Sequence, residues 1–318
     1  MMRERPRLSG RQVFGIGILG LLLAASVGFG RSSASFIPLP GGSRVEFSSL
    51  DSQALRGQGQ YSIFFPPSYD RSKDTYPVLY FLHGLFNDHT SWTDTEHGNI
   101  PAKIERLMLE KKIPEMLLVH PNGGRSFYTN YYDGSLKYED FVVKELVAHV
   151  ETTYRASKGR RNRSITGTSM GGFGALKIAM RYPKIYGAVA AHSPIVFLNR
   201  NPLDVPPEVK SSRRFRFFSE VFTMIYGDPL NQAYYDANNP LVLAKSADLN
   251  GLAIYFDYGT ADRYNRIIQL GRGLDALDVA LTQAGVPHEF KTHPGETHGW
   301  ALVMAHLEES LGFVSQSF

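Results

Sequence analysis

A chain of 318 residues with 43% apolar and 20% charged side chains can bury one large core, which excludes a disordered or fibrous protein. The formal charge of +4 originates in residues 1–34, where Arg3, Arg5, Arg7, Arg11 and Arg31 face only Glu4; the rest of the chain carries 29 basic and 29 acidic side chains. Nucleic-acid binding therefore loses its electrostatic basis, and the absence of cysteine excludes disulfides, thiolate metal sites, a Cys nucleophile and a lipid-modified N-terminal Cys.

In chain order, residues 1–34 read as a targeting segment: an arginine-rich start, an apolar run from Val13 to about Gly28, then the small residues Ser32-Ser33-Ala34. Two readings stand, a cleaved signal peptide of a secreted or periplasmic protein, or an uncleaved anchor that tethers it to the membrane through this segment alone. Residues 35–318 then read as one domain. A Ser/Gly-rich stretch runs to about Ser43, and strands are predicted at Tyr61–Phe65, Val78–Leu82, Met116–His120, Ser164–Thr166, Gly187–Ala191, Leu252–Asp257 and His288–Thr292. Phe141 to Tyr154 gathers Phe141, Val142, Leu146, Val147 and Val150 on one helical face. The proline-broken, basic-aromatic stretch of about 194–248 reads as a cap inserted over the sheet's C-terminal edge. Strands alternating with helices imply an α/β fold with a mostly parallel central sheet flanked by helices.

Gly167-Thr168-Ser169-Met170-Gly171 fits G-x-S-x-G, between a β-prone stretch and a helix-prone one. Glycines on both sides let the chain turn sharply, so that the Ser169 hydroxyl stands at the sheet edge with a helix N-terminus behind it. A serine needs a base and an orienting carboxylate, which in this strand-turn-helix arrangement follow in the order Ser, acid, His. Asp262, in the loop after the run Leu252–Phe256, is the preferred acid, with Asp257 at the strand end as competitor. His298, in a Gly-flanked loop after the last strand, is the preferred base, with His293 as competitor. Leu82-His83-Gly84-Leu85 supplies a second loop at the same edge, so the backbone N–H groups of Leu85 and Met170 are the candidate oxyanion donors. His83 itself reads as structural. Trp92, Tyr128, Tyr131 and Tyr132 are candidates for lining a substrate pocket, with core packing as the alternative. No metal-ligand spacing, phosphate loop or dinucleotide fingerprint is visible, so neither cofactor nor metal is expected; His293-x4-His298 has Pro and Gly where a zinc-binding helix would be needed.

Taken together, Phe64-Phe65-Pro66-Pro67-Ser68-Tyr69-Asp70, Tyr76-Pro77-Val78-Leu79-Tyr80-Phe81-Leu82-His83-Gly84, Ile165 to Gly172 and the late Asp262 and His298 segments resemble an esterase family of the α/β-hydrolase superfamily. That family includes S-formylglutathione hydrolases, tributyrin-type acetylesterases, feruloyl esterases, enterochelin esterases and mycolyltransferases. The resemblance spans roughly residues 44–316. It implies metal-independent ester hydrolysis through an acyl-enzyme on Ser169, Asp262 and His298, and it places Asn87, Asp88 and Trp92 in a polar loop near the pocket. The chain lacks the cysteines of several formylglutathione hydrolases, and it differs from mycolyltransferases after the methionine that follows the nucleophile. The expected function is therefore a serine carboxylesterase acting on small acyl esters, acetyl or feruloyl esters of carbohydrate among them. An acyltransferase using the same triad and a catalytically silent binding protein on the same scaffold are the alternatives. The expected partner is a small-molecule or glycan ester, not a nucleic acid.

Overall fold

The computed structural model describes residues 36–318; the segment read as a signal peptide or anchor lies outside the described residues. In chain order the elements are β1 (Phe36–Pro38), β2 (Arg44–Ser52), β3 (Gly57–Phe65), β4 (Val78–Leu82), α1 (Ile100–Leu109), β5 (Leu117–Pro121), α2 (Tyr138–Asp140), α3 (Val147–Thr153), β6 (Arg163–Thr168), α4 (Met170–Arg181) and β7 (Ala188–His192). There follow α5 (Pro207–Lys210), α6 (Arg213–Tyr226), α7 (Gln232–Asp236), α8 (Pro240–Ser246), β8 (Ala253–Gly259), α9 (Tyr264–Ile268), α10 (Leu270–Gln283), β9 (His288–His293) and α11 (Trp300–Ser315). Among the described residues no helix is long and apolar enough to cross a membrane.

The strands form one mixed sheet in the order β1-β2-β3-β5-β4-β6-β7-β8-β9. β4 to β9 are mutually parallel, and β1 to β3 extend the sheet antiparallel beyond β5. The seven expected strands all form. Strands covered on both faces read as near-continuous apolar runs, and β4, sequence VLYFL, is buried throughout. Its side chains alternate: Val78, Tyr80 and Leu82 join the core beneath α3, α4, α6 and α10, whereas Leu79 and Phe81 join the core beneath α1 and α11. Each such fully buried Leu or Phe contributes about 1.5–3 kcal/mol.

β2 departs from the sequence reading. It pairs with β3 over its whole length, yet its residues are mostly half-buried and serine-rich, so its apolar signal is weak. The helix expected from Phe141 to Tyr154 forms with a π-helical turn over Phe141–Leu146, where the consecutive residues Phe141, Val142 and Val143 are all buried and the winding widens to face them inward. The 194–248 stretch becomes four helices between β7 and β8. Its α6 lies over the sheet edge through Phe222, which packs edge-on against Phe127 and Phe197, while α8 packs against α4 and α10.

Strand register sets up the site. Leu82 pairs with Gly167, Thr168 with His192, His192 with Asp257 and Gly259 with His293, so β4, β6, β7, β8 and β9 end level at one edge. Every loop that carries a predicted site residue leaves from this edge.

Candidate active site

Ser169 stands between the end of β6 and the start of α4 with φ 58° and ψ −117°, a conformation that costs a non-glycine residue about 1–3 kcal/mol. The surroundings hold it there: its N–H donates to His192 O at 2.9 Å and its carbonyl accepts from Phe173 N at 3.0 Å. The turn needs glycine at 171, since a Cβ there would lie 2.0 Å from Leu82 O. Backbone strain of this kind at the mouth of a helix is the geometry that exposes a nucleophile and turns the helix dipole toward it.

The loop after β4 comes alongside. A Cβ on Gly84 would sit 3.5 Å from Ser169 Cβ, which puts the Leu85 backbone next to the serine. Among the described residues neither the Leu85 N–H nor the Met170 N–H donates to a protein acceptor. His83 pins this loop and is wholly buried: its Nδ1–H donates to Gly84 O at 2.8 Å, and its Nε2 accepts from Gly123 N at 2.9 Å. Burial pushes its pKa down to about 4, so the ring is neutral, as both hydrogen bonds require.

Asp262 and His298 meet. His298 Nδ1 lies 2.5 Å from Asp262 Oδ2, Asp262 Oδ1 accepts from Tyr264 N at 2.9 Å, and the Tyr264 ring stands edge-on to the imidazole at 4.6 Å. His298 Nε2 is buried with no hydrogen-bond partner among the described residues, and no hydrogen bond joins it to Ser169. Contacts of this type are often long before substrate arrives. The two competitors go elsewhere. Asp257 is buried and accepts from His192 Nδ1 at 3.0 Å, Tyr255 Oη at 3.0 Å and His293 Nε2 at 3.3 Å. Burial alone would raise its pKa, but His192 and His293 outweigh it and hold the carboxyl well below the ordinary range.

Two expected pocket residues are corrected. Trp92 is fully buried, stacked on His120 at 4.9 Å, and Tyr128 is fully buried with its hydroxyl accepting from His83 N at 2.9 Å. Neither presents surface to a ligand; Tyr128 instead supports the loop that carries Leu85. The exposed rim is made of residues the sequence reading did not single out. Phe86, 68% exposed, stacks on Phe217 of α6 at 5.1 Å, and the Arg125 guanidinium lies 5.2 Å from the Phe217 ring. Their adjacency comes from the folding of α6 over the edge, which no local motif signals. A surface cleft of about 780 Å³, lined by Met180, Tyr182, Ile185 and Leu243, lies at the opposite end of α4 and is remote from Ser169.

Beneath the site runs a buried ionic tether that the sequence reading missed. Lys177 of α4 is fully buried, donates to Tyr128 O at 2.5 Å and Thr129 Oγ1 at 3.0 Å, and pairs with Glu139 at 2.7 Å. A lysine in a run as apolar as Phe173 to Met180 is the one signal that could have found it.

His83 and the equally buried His120, whose pKa is lowered to about 3 by burial and by His83, predict acid sensitivity. Both are neutral in the fold but take up protons near pH 6.5 once unfolded. The unfolded chain therefore binds more protons between pH 6.5 and 4, and stability falls as pH drops through that window by about 1.4 kcal/mol per pH unit for each ring. Urea unfolding at pH 7, 6 and 5 checks this, with His120→Leu expected to flatten the slope; a free energy constant over that range would exclude the neutral-ring assignment.

Comparison with known proteins bears on the family and the fold. The chain is 29% identical over 268 residues to the esterase Rv1288 of Mycobacterium tuberculosis, a match that covers 79% of this chain and 55% of that protein, so the chain spans about half the length of the curated relatives it matches. A solved ferulic acid esterase superposes with a TM-score of 0.69 at 27% identity, over 87% of this chain and 98% of its own. An S-formylglutathione hydrolase from Agrobacterium tumefaciens, at 19% identity, shares the fold with a TM-score of 0.68 over 87% of this chain and 96% of its own. The family described as "Putative esterase" matches residues 52–313, and the chain belongs to that family of α/β-hydrolases.

Proposed function

We propose that the protein is a serine carboxylesterase that hydrolyses small acyl esters, with Ser169 as nucleophile, His298 as general base and Asp262 as the carboxylate that orients it. The observation that carries this reading is the Asp262–His298 pair at 2.5 Å, on the same sheet edge as the strained Ser169 turn. In this reading His298 Nε2 takes the hydroxyl proton as Ser169 Oγ attacks the ester carbonyl. The Nδ1–H, held by Asp262, keeps the imidazole in the tautomer that leaves Nε2 free. The N–H groups of Leu85 and Met170, at the mouth of α4, receive the oxyanion. The protonated His298 then gives its proton to the leaving alkoxide, and water, deprotonated by the same ring, attacks the acyl-enzyme; the ring returns that proton to Ser169 Oγ as the acyl bond breaks and the acid is released.

The aromatic rim of Phe86 and Phe217, beside Arg125, suits an acyl group with a flat or short apolar body, and in this reading the substrates are feruloyl or acetyl esters of carbohydrate, the feruloyl group supported by the match to a ferulic acid esterase. With the targeting segment of residues 1–34, the reading places the enzyme outside the cytoplasm, secreted or periplasmic, acting on exported glycan esters.

Hydrolysis of p-nitrophenyl acetate, butyrate and a long-chain ester by the purified chain tests this. Turnover is expected to fall as the acyl chain lengthens. A folded wild-type chain that hydrolyses none of them would sink the proposal, and product carried mainly onto an added alcohol instead of water would convert it into an acyltransferase.

A further inference from the structure

The loop that carries His298 also assembles a second cluster of ligating groups. His293 closes β9, Glu296 lies in the following loop, and α11 brings back His306. The two imidazoles stack with centroids 3.4 Å apart, and His306 Nε2 lies 2.9 and 3.0 Å from the two oxygens of Glu296. One ligand-capable atom from each of the three residues falls within 4.8 Å of the others. All three side chains are partly buried.

What distinguishes this cluster from a chance meeting of polar groups is its backing. His293 Nε2–H donates to Asp257 at 3.3 Å, which leaves Nδ1 as the nitrogen turned to other use, and Asp257 is itself immobilised by His192 and Tyr255. A buried carboxylate on the far nitrogen is how proteins fix the tautomer and orientation of a metal-binding histidine. Two imidazoles and one carboxylate form a borderline nitrogen and oxygen donor set that suits Zn²⁺, with a fourth position left for water. The rings lie nearly parallel, so their in-plane lone pairs do not converge as they stand, and His306 must tilt out of the stack for both nitrogens to reach one ion.

We propose that His293, Glu296 and His306 bind a Zn²⁺ ion that fastens the end of β9 to α11 and so braces the loop holding His298. The bracing reaches the acid loop through the backbone. Glu296 O accepts from Ala261 N at 2.9 Å, next to Asp262, and His293 O accepts from Thr260 N at 3.0 Å. The two loops touch so closely that a Cβ on Gly259 would lie 2.2 Å from Glu296 O. The ion takes no part in the proposed ester chemistry.

The full chain, stripped with chelator, is titrated with ZnCl₂ by calorimetry at pH 7.5. One equivalent is expected to bind, and zinc is expected to raise the melting temperature. His306→Gln and Glu296→Gln, each checked for native circular dichroism in chelator, are expected to weaken binding by about tenfold or more. His298→Ala is expected to leave the isotherm unchanged. Absence of binding heat from folded protein, an isotherm unaltered in both glutamine variants, or binding abolished in His298→Ala would each overturn the site. None of these readings depends on ester hydrolysis, so they stand or fall apart from the proposed activity.

Discussion

With Ser169→Ala, turnover of p-nitrophenyl acetate is expected to fall by about a million-fold, the loss typical of removing a nucleophile that acts as one unit with its base. Asp262→Asn is expected to lower kcat by about ten-thousand-fold, because an asparagine cannot hold the tautomer that leaves Nε2 free. Asp257→Asn separates the two acids. Its partners are His192, Tyr255 and His293, so this variant should lose stability while a folded fraction retains most of its turnover per molecule. A comparable collapse of kcat in folded Asp257→Asn would reassign the acid. The strain at 169 adds a thermodynamic signature. Alanine inherits φ 58° and gains nothing, whereas Ser169→Gly releases the turn and is expected to stabilise the fold by about 1 kcal/mol, after the loss to a more flexible unfolded chain. A glycine variant that melts below the wild type would show that the turn is not strained.

Glu139→Ala is expected to cost about 3–5 kcal/mol, because it leaves the Lys177 ammonium buried without its counter-charge. Burial alone lowers the Lys177 pKa, and Glu139 opposes that shift, so removing the glutamate drives the lysine toward its neutral form. The damage is also directional. Lys177 holds the carbonyl of Tyr128, whose hydroxyl receives the His83 N–H, and His83 shapes the loop offering the Leu85 N–H. The surviving folded enzyme is therefore expected to show a lowered kcat with KM little changed. Urea unfolding and steady-state kinetics on the same preparation check both parts. The double variant Glu139→Ala/Lys177→Met, with no charge left inside, should recover much of the lost stability; if it does not, the pair is not what holds this region.

The legible parts of this protein are those where chemistry and backbone geometry coincide locally. The strand-turn-helix at Ser169 was readable because its glycines and flanking strand and helix stand side by side in the chain. β4, β5, β7 and β8 were readable because strands covered on both faces read as near-continuous apolar runs. β2 was not, since a half-exposed strand at the margin of a sheet has little hydrophobic pattern to show. Trp92 and Tyr128 were misplaced for a different reason. An aromatic in a loop near a catalytic motif looks the same in sequence whether its ring faces the ligand or the core, and only packing against His120 or His83 decides. The His293, Glu296 and His306 cluster escaped because its third member arrives on a helix; spacing along the chain drew attention to His298, whose ring turns to Asp262 instead.

The sheet order distributes these parts unequally. Ser169 hangs from β6, which has neighbours on both sides, whereas His298 follows β9, a half-exposed edge strand. Fraying begins at such margins and reaches the centre last. Heat or denaturant would therefore silence the proposed enzyme while most of the sheet is still intact, so that its activity reports on one edge strand of the sheet rather than on the fold as a whole.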